Sequence, residues 1–297
     1  MLQAMIIVFG FMFLGYASQY KDENNRSLSK LCLYFLIPIL IFQSIIHSSV
    51  SIGALSSIIL HFFITTLLVY GLLMTVVGRI MGWQGPLLKW NSLSSTLANV
   101  GYFGLAVIQF GIGSEAVPYA IAVALAFNLY MAIFGFAQVN QSMNWKNRIQ
   151  SVFRNPYLYA VVAGLFWRWA GLKLPEEIDH LLRLIVQTTL PITLLLTGAE
   201  LRGSSFNLTH FKEAIQISII KLILPVLLAF PVTYLFSVNS IERNVMILMF
   251  GMPTSLNLLI LAKEHGRDTS IISLAILMTT LLSPATLLVL IRILSIV

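Results

Sequence analysis

A short polar sequence interrupts an apolar stretch near the C-terminal end of the chain. In MFGMPTSLNLLILAKEHG, residues 249–266, the polar or helix-breaking residues Pro253, Thr254, Ser255 and Asn257 fall within five positions. Proline lacks an amide hydrogen and clashes with the carbonyl group four residues earlier, so it breaks or kinks a helix. The freed carbonyl groups can act as ligands, and the N-terminus of the next half-helix favours an anion. The pattern predicts an uncharged polar site that hydrogen-bonds an anion.

A second polar cluster lies in the N-terminal half, in the sequence TLANVGYFGLAV of residues 96–107. It contains Asn99, Gly101 and Gly104 but no proline at its middle. Glycine loosens a helix and lets another backbone approach closely. If the two segments cross, Asn99 and Asn257 could meet near the centre. The predicted substrate-binding residues are Asn99, Gly101, Gly104, Asn128, Pro253, Thr254, Ser255 and Asn257.

The structural alternative is that these residues only pack helices together, since small residues and proline kinks are common in membrane helices. Two clusters that each contain an asparagine favour the functional interpretation.

The composition places these clusters in a membrane protein. The chain has 297 residues, of which 58% are hydrophobic and 10% charged, with a mean hydropathy of +0.88. Soluble domains carry about a quarter charged residues. Ten apolar segments are long and continuous enough for helices and too long for barrel strands. They cover residues 2–20, 31–49, 55–78, 91–111, 117–137, 157–171, 181–199, 211–236, 243–263 and 270–294. The sequence therefore predicts an all-α polytopic protein with ten transmembrane helices.

The charges predict orientation rather than nucleic-acid binding, although the net charge is +7. Lysine and arginine are concentrated in alternating loops, with twelve on one side and five on the other, and Lys221 lies within a segment. The positive-inside rule places the richer side in the cytoplasm and both termini outside. The only cysteine is Cys32, so no disulfide forms within the chain.

The two halves of the chain echo each other approximately. Pro38 and Pro191 lie in similar apolar sequences 153 residues apart, and the two candidate asparagines, Asn99 and Asn257, are 158 residues apart. An odd number of spans per half turns the second copy upside down, which is a frequent plan of secondary transporters. We expect a first repeat over residues 1–138, a cytoplasmic linker over 139–155 and an inverted repeat over 156–297.

Other polar residues are weaker candidates. A charge within a span is a functional hypothesis by default, and Lys221 could pair with Glu200 or Glu213 or extend to the cytoplasmic surface. Asn128 and Gln187 are candidates for lining a cavity. Acidic residues are absent from the span centres, which counts against a sodium cage or a carboxylate proton shuttle, although backbone carbonyls could bind sodium. No metal, phosphate-loop or nucleophile motif indicates an enzyme.

Four sequences resemble the auxin efflux carrier family in its short bacterial form. They are FLIPILIF, LANVGYFGLAVIQFGIGSEAVPYAIAV, NPYLYAVVAGLFWRWAGLKLPEEI with TTLPITLLLTGAEL, and GMPTSLNLLILAKEHGRDTSIISLAILMTTLLSPATL. The match runs through the whole chain, and KLILP from Lys221 is similar as well. The chain departs from the family pattern at Ala106, where a proline is usual. The alternatives are that Gly101 and Gly104 suffice to unwind span four, or that only span nine is sharply broken.

The resemblance implies two inverted five-helix repeats whose fourth and ninth helices are broken and cross, with Asn99 and Asn257 at the crossing. It implies a dimerising scaffold of spans one, two, six and seven, and a transport domain that moves against it like an elevator. Family members move organic anions such as malonate or malate, so we expect a permease for mono- or dicarboxylates in the bacterial inner membrane. The open alternatives are a sodium-coupled symporter of a bulkier anion and a sensor or scaffold that moves nothing. No cofactor is expected beyond coupling to protons or sodium.

Overall fold

The computed structural model describes residues 2–18, 22–48, 50–135, 145–202, 208–236, 238–264 and 269–294. The regular structure within these ranges is entirely helical. Residues 139–144 of the expected linker lie outside the described residues, as do Lys21, Gly266 and Arg267. Most of the remainder of the linker forms a helix, Trp145–Phe153.

Fifteen α-helices are found in the described ranges, several of them joined by short π-helical turns. In chain order they are α1 (Leu2–Ala17), α2 (Asp22–Leu31), α3 (Ile37–Ile46), α4 (Ile52–Leu72), α5 (Gly78–Ile80), α6 (Gly85–Thr96), α7 (Leu105–Gly111), α8 (Val117–Tyr130), α9 (Trp145–Phe153), α10 (Pro156–Trp169), α11 (Glu176–Arg202), α12 (Phe211–Thr233), α13 (Ser240–Phe250), α14 (Leu256–Glu264) and α15 (Ser270–Ile293). The π-helical turns are Cys32–Leu36, Leu73–Val77, Val100–Gly104 and Met131–Gly135.

Several of these helices are long and apolar enough to cross a membrane, which makes the chain a multi-pass membrane protein. Within the described residues there are five such stretches, and shorter apolar helices cover Met5–Ala17 and Val100–Gly111. The five are Ser27–Ile46, Ile52–Ile80, Glu176–Arg202, Phe211–Thr233 and Ser270–Ile293.

Two connections expected from the hydropathy pattern are largely helical instead. The polar sequence before span two forms α2, and the connection before span seven contains the first turns of α11, which begins at Glu176. Acidic residues occupy the first turn of α11, where they stabilise the positive end of the helix dipole. Hydropathy detects the part of a helix that lies in lipid, so it misses helical turns that extend beyond the bilayer.

The helices pack most extensively within two groups. In the first group α1 and α3 both pack against α11, and α10 packs against α3. In the second group α12 packs against α4, α6, α13 and α15, and α4 packs against α8. The segment from Val100 to Gly111 connects the groups, because α7 packs against α1 and also against α8.

Glycines bring α1 and α11 into backbone contact. A Cβ atom added at Gly15 would overlap the carbonyl group of Leu195, and one at Gly198 would overlap the carbonyl group of Met12. Small residues at such positions let two membrane helices approach closely. The first group of helices therefore has a tightly fixed centre.

We expect Gly15→Ala to lower the free energy of unfolding by about 1–3 kcal/mol, because the added methyl group forces the two backbones apart. Gly10→Ala is the matched control on the same helix, since nothing lies within 4 Å of a Cβ atom there. Thermal unfolding of the purified protein measures both changes. Equal stability of the two variants would contradict the close contact.

Candidate binding site at two interrupted helices

The fourth apolar segment is interrupted although it contains no central proline. Helix α6 ends at Thr96, and the π-helical turn that leads into α7 begins at Val100. Leu97 has an extended backbone with φ −82° and ψ 119°, and Asn99 has φ −77° and ψ 68°. Of the two alternatives for span four, the one in which only span nine is sharply broken is therefore excluded. The break lies before Gly101 and Gly104 rather than at them.

The ninth apolar segment is interrupted at the predicted place. Helix α13 ends at Phe250 and α14 begins at Leu256, so Pro253 lies in the middle of the non-helical residues. The segment thus forms two half-helices, each too short to cross the hydrocarbon core alone.

The two breaks are hydrogen-bonded to each other. The Asn99 N–H donates to the Pro253 carbonyl at 2.7 Å, and the Ser255 N–H donates to the Leu97 carbonyl at 3.0 Å. The pairing is antiparallel, with Ala98 opposite Thr254. Each break therefore supplies the backbone partners that the other one lost when its helix ended.

Thr254 fastens the crossing to two further helices. Its hydroxyl donates to the Ser94 carbonyl in α6 at 3.0 Å, and its N–H donates to Thr279 Oγ1 in α15 at 3.1 Å. The side chain is fully buried. Its hydroxyl hydrogen is engaged by the protein, so Thr254 positions the site and does not offer that donor to a substrate.

Asn99 and Ser255 occupy equivalent positions in the two breaks. Each precedes the returning helix, and each accepts a backbone N–H with its side-chain oxygen: Asn99 from Phe103 at 3.5 Å, and Ser255 from Asn257 at 3.2 Å. Both are buried, whereas Asn257 is half-buried in the first turn of α14. None of the described hydrogen bonds joins Asn99 to Asn257. The structural counterpart of Asn99 is therefore Ser255, and Asn257 lies beside the pair.

The two candidate glycines have different surroundings. A Cβ atom at Gly101 would meet nothing within 4 Å. A Cβ atom at Gly104 would lie 2.9 Å from Met249 Sδ and 3.2 Å from the Asn99 carbonyl oxygen. Gly101 therefore borders open space at the crossing, and Gly104 allows the π-helical turn to pack against α13.

Asn128 lies on α8, which packs against the π-helical turn Val100–Gly104. Its amide donates to the Ala124 carbonyl of the same helix at 2.8 Å and is half-buried. The described hydrogen bonds do not tie it to the crossing.

The sequence interpretation overlooked the first half of the interrupted segment four. All six residues from Asn91 to Thr96 are buried, and five of them are polar. Buried atoms of Asn91, Ser92 and Ser95 have no hydrogen-bond partner in the described structure. A run of polar residues at the start of an apolar segment is the signal that could have identified this polar half-helix.

Lys221 is buried in the middle of α12 and donates from Nζ to the Phe250 carbonyl at 2.9 Å. The two expectations for this side chain, an ion pair with Glu200 or Glu213 and extension to the surface, are therefore wrong. Its partner is the carbonyl group that ends the first half of the interrupted segment nine.

A polar cavity of about 650 Å³ lies between the two groups of helices. Gln43 and Gln187 line it from α3 and α11, and Gln109 lines it from α7. At its rim, His47 and Arg183 both bind the carboxylate of Asp179. The prediction that Gln187 lines a cavity is confirmed.

The comparison with known proteins identifies the chain. The family described as membrane transport protein matches residues 1–151 and 140–291. The chain belongs to this family of transporters. The resemblance to the auxin efflux carriers is thereby confirmed, and so is the expectation that the protein is not an enzyme.

Individual relatives are similar over nearly their whole length. An uncharacterized transporter of Methanocaldococcus jannaschii is 25% identical in an alignment of 300 positions that covers 95% of this chain and 95% of its own. A Rhizobium meliloti protein named "Putative malonate transporter" is 24% identical over 94% of this chain and 91% of its own. An uncharacterized transporter of Methanothermobacter thermautotrophicus is 25% identical over 88% of this chain and 86% of its own.

We expect Thr254→Val to lower the free energy of unfolding by about 1–3 kcal/mol, because the Ser94 carbonyl loses its hydroxyl donor in a buried place. The matched control is Thr75→Val, since the exposed Thr75 hydroxyl donates only to Gly71 in the preceding turn. We expect that control to change stability by less than about 0.5 kcal/mol. If both variants unfold at the wild-type temperature, Thr254 does not fasten the crossing.

We also expect the neighbouring glycines to respond differently to alanine. Gly104→Ala should lower the free energy of unfolding by about 1 kcal/mol, because Met249 and the Asn99 carbonyl must move. Gly101→Ala should leave stability within about 0.5 kcal/mol of wild type, since its methyl group enters open space. Thermal unfolding of both variants tests this, and a larger loss for Gly101→Ala would contradict the open space beside it.

Proposed function

We propose that the protein is a secondary transporter of small organic anions, mono- or dicarboxylates, which bind where the two interrupted helices cross. The observation that carries the proposal is the crossing itself. Two half-helices begin there, directly after Asn99 and Ser255, and the N-terminus of a helix attracts negative charge.

The residues around the crossing suit a carboxylate. The Asn257 side-chain amide is half-buried and has no hydrogen-bond partner in the described structure. Gly101, in the π-helical turn that follows the other break, borders open space. Amide N–H groups and helix N-termini can share a carboxylate without a full ion pair, so the substrate binds reversibly. The relative named for malonate transport supports this substrate class.

The packing of the helices supports alternating access. The group of α1, α3, α10 and α11 would be the scaffold, and the group of α4, α8, α12, α13 and α15 would move with the crossing. The polar cavity between Gln43, Gln109 and Gln187 would be the entry path on the side opposite the cytoplasm. An elevator-type displacement along this boundary would carry the site from one side to the other.

The same proposal includes the finer architecture. It comprises ten membrane helices in two inverted repeats, over residues 1–138 and 156–297, joined by the linker 139–155. The protein would function as a homodimer in the bacterial inner membrane with both termini outside. Transport would be coupled to protons or sodium ions, without another cofactor.

The first test is the thermal stability of the purified protein across a panel of carboxylates, with and without sodium and at two pH values. A ligand that binds the folded state raises the unfolding temperature by mass action. We expect a selective shift with one class of carboxylate, and flux of the same compound in proteoliposomes. Binding without any flux would support a sensor instead. If no organic anion shifts a well-folded sample, the carboxylate proposal is wrong.

We expect Asn257→Ala to reduce uptake by at least about tenfold, because a hydrogen bond to a charged group contributes about 1.5–3 kcal/mol. Folding should be retained, since the side chain carries no described hydrogen bond within the protein. Gln150→Ala is the control, because this amide is exposed on α9. Uptake into proteoliposomes measures both variants, and wild-type uptake by Asn257→Ala would remove this residue from the site.

A further inference from the structure

The side chain of Lys221 brings a charged group into the described core, where its burial costs free energy. Lys221 is the eleventh of the 23 residues of α12, a helix long and apolar enough to cross a membrane. At about 1.5 Å per residue, it lies about 15 Å from the first residue of the helix and about 18 Å from the last, near the midplane. In the part of the chain that the structure describes, the buried charged side chains are Lys221 and Glu242 alone. A charge at this depth is retained only where it serves a purpose.

The partner of Lys221 shows where its charge acts. Nζ donates to the Phe250 carbonyl, the last residue of α13. The C-terminus of a helix is the negative end of its dipole, so the ammonium neutralises it. Glu242 occupies the opposite end, in the first turn of α13. The two buried charges therefore lie at the two ends of one half-helix, and the positive one lies at the end that leads into the crossing.

The ammonium is close to the proposed substrate site. Phe250 is three residues before Pro253, whose carbonyl binds Asn99. Three residues extend over at most about 11 Å. Two unit charges about 10 Å apart, in a medium of effective dielectric constant about 20, change a binding constant by roughly tenfold.

The residues of the two breaks themselves add no formal charge, whereas the half-buried Glu200 of α11 interacts electrostatically with Tyr102 in the π-helical turn. The C-terminal end of α6 is bound by the neutral hydroxyl of Thr254. Asn99, Ser255 and Asn257 are neutral. A substrate at the crossing therefore meets one buried positive charge, on Lys221, while Glu242 is separated from it by the length of α13.

We propose that Lys221 determines the charge specificity of the transporter. Its ammonium, held on the end of α13, makes the crossing favour an anion with two negative charges over one of equal size with a single charge. This inference rests on the proposed function, because it assumes that the anion binds at the crossing. Lys221 does not need to touch the substrate, so it is a positioning and specificity-determining residue.

The alternative is that Lys221 only caps α13. Glutamine separates the two roles, since its amide can donate a hydrogen bond to Phe250 without carrying a charge. Arginine keeps the charge, and methionine removes both the charge and the donor.

The experiment compares malonate with malonamate, which has the same size but one carboxylate fewer. Dissociation constants come from thermal shifts of the purified protein, and uptake is measured in proteoliposomes. We expect the wild type to prefer malonate by roughly tenfold, from the same charge–charge interaction. Lys221→Arg should keep this preference. Lys221→Gln should lose it while retaining malonamate binding, and Lys221→Met should also be less stable.

Three results would overturn the inference. Equal affinity of the wild type for malonate and malonamate would do so without any variant, even if the substitutions prevented folding. A malonate preference that survives in a folded Lys221→Gln protein would show that Lys221 is only a cap. A wild type that binds neither compound would contradict the carboxylate proposal as well. The second of these results would leave the proposed function intact and reject this inference alone.

Discussion

Backbone N–H and C=O groups inside a bilayer have no water to bind, so an interruption of a membrane helix must find partners within the protein. The two interruptions of this protein find them in each other. Asn99 and Ser255 donate to Pro253 and Leu97 across the crossing. This exchange of hydrogen bonds fixes where the half-helices begin. The buried polar residues before them and the position of Thr254 depend on it as well.

The exchange also explains why the lysine of α12 can be buried. A half-helix that ends in the membrane presents carbonyl groups with no donors of their own. A neutral hydroxyl, from Thr254, binds the end of α6, and an ammonium group, from Lys221, binds the end of α13. The carbonyl groups at the two helix ends are thus bound by different kinds of donor, one neutral and one charged. The crossing is therefore asymmetric in charge, although the two interrupted segments have similar backbone structures. This asymmetry is what an anion at the crossing would experience.

The sequence predicts those parts of this arrangement that depend on a residue's own chemistry and not on its partners elsewhere in the chain. Pro253 predicts a break because proline cannot continue a helix, whatever surrounds it. The break at Leu97 has no such local cause. Its hydrogen-bond partners lie in the other half of the chain. The residue at position 106, an alanine where a proline is usual, therefore does not predict whether the helix breaks. The equivalence of Asn99 with Ser255, rather than with Asn257, likewise depends on where each helix resumes. Lys221 could not be paired correctly from sequence because its partner is a main-chain oxygen, which every residue has.

Because the two breaks satisfy each other's backbone hydrogen bonds, they affect how the protein is inserted into the membrane. Leu97 and Asn99 are synthesised about 155 residues before Ser255 and Pro253, to which they bind. When the first half leaves the ribosome and enters the membrane, its fourth segment cannot yet take its final form without leaving several polar groups unpaired in lipid. It must pass through the early stages of insertion as a continuous helix, or remain shielded at the insertion machinery. The crossing is therefore assembled only when the ninth segment arrives, so a truncated chain would be a membrane protein without it.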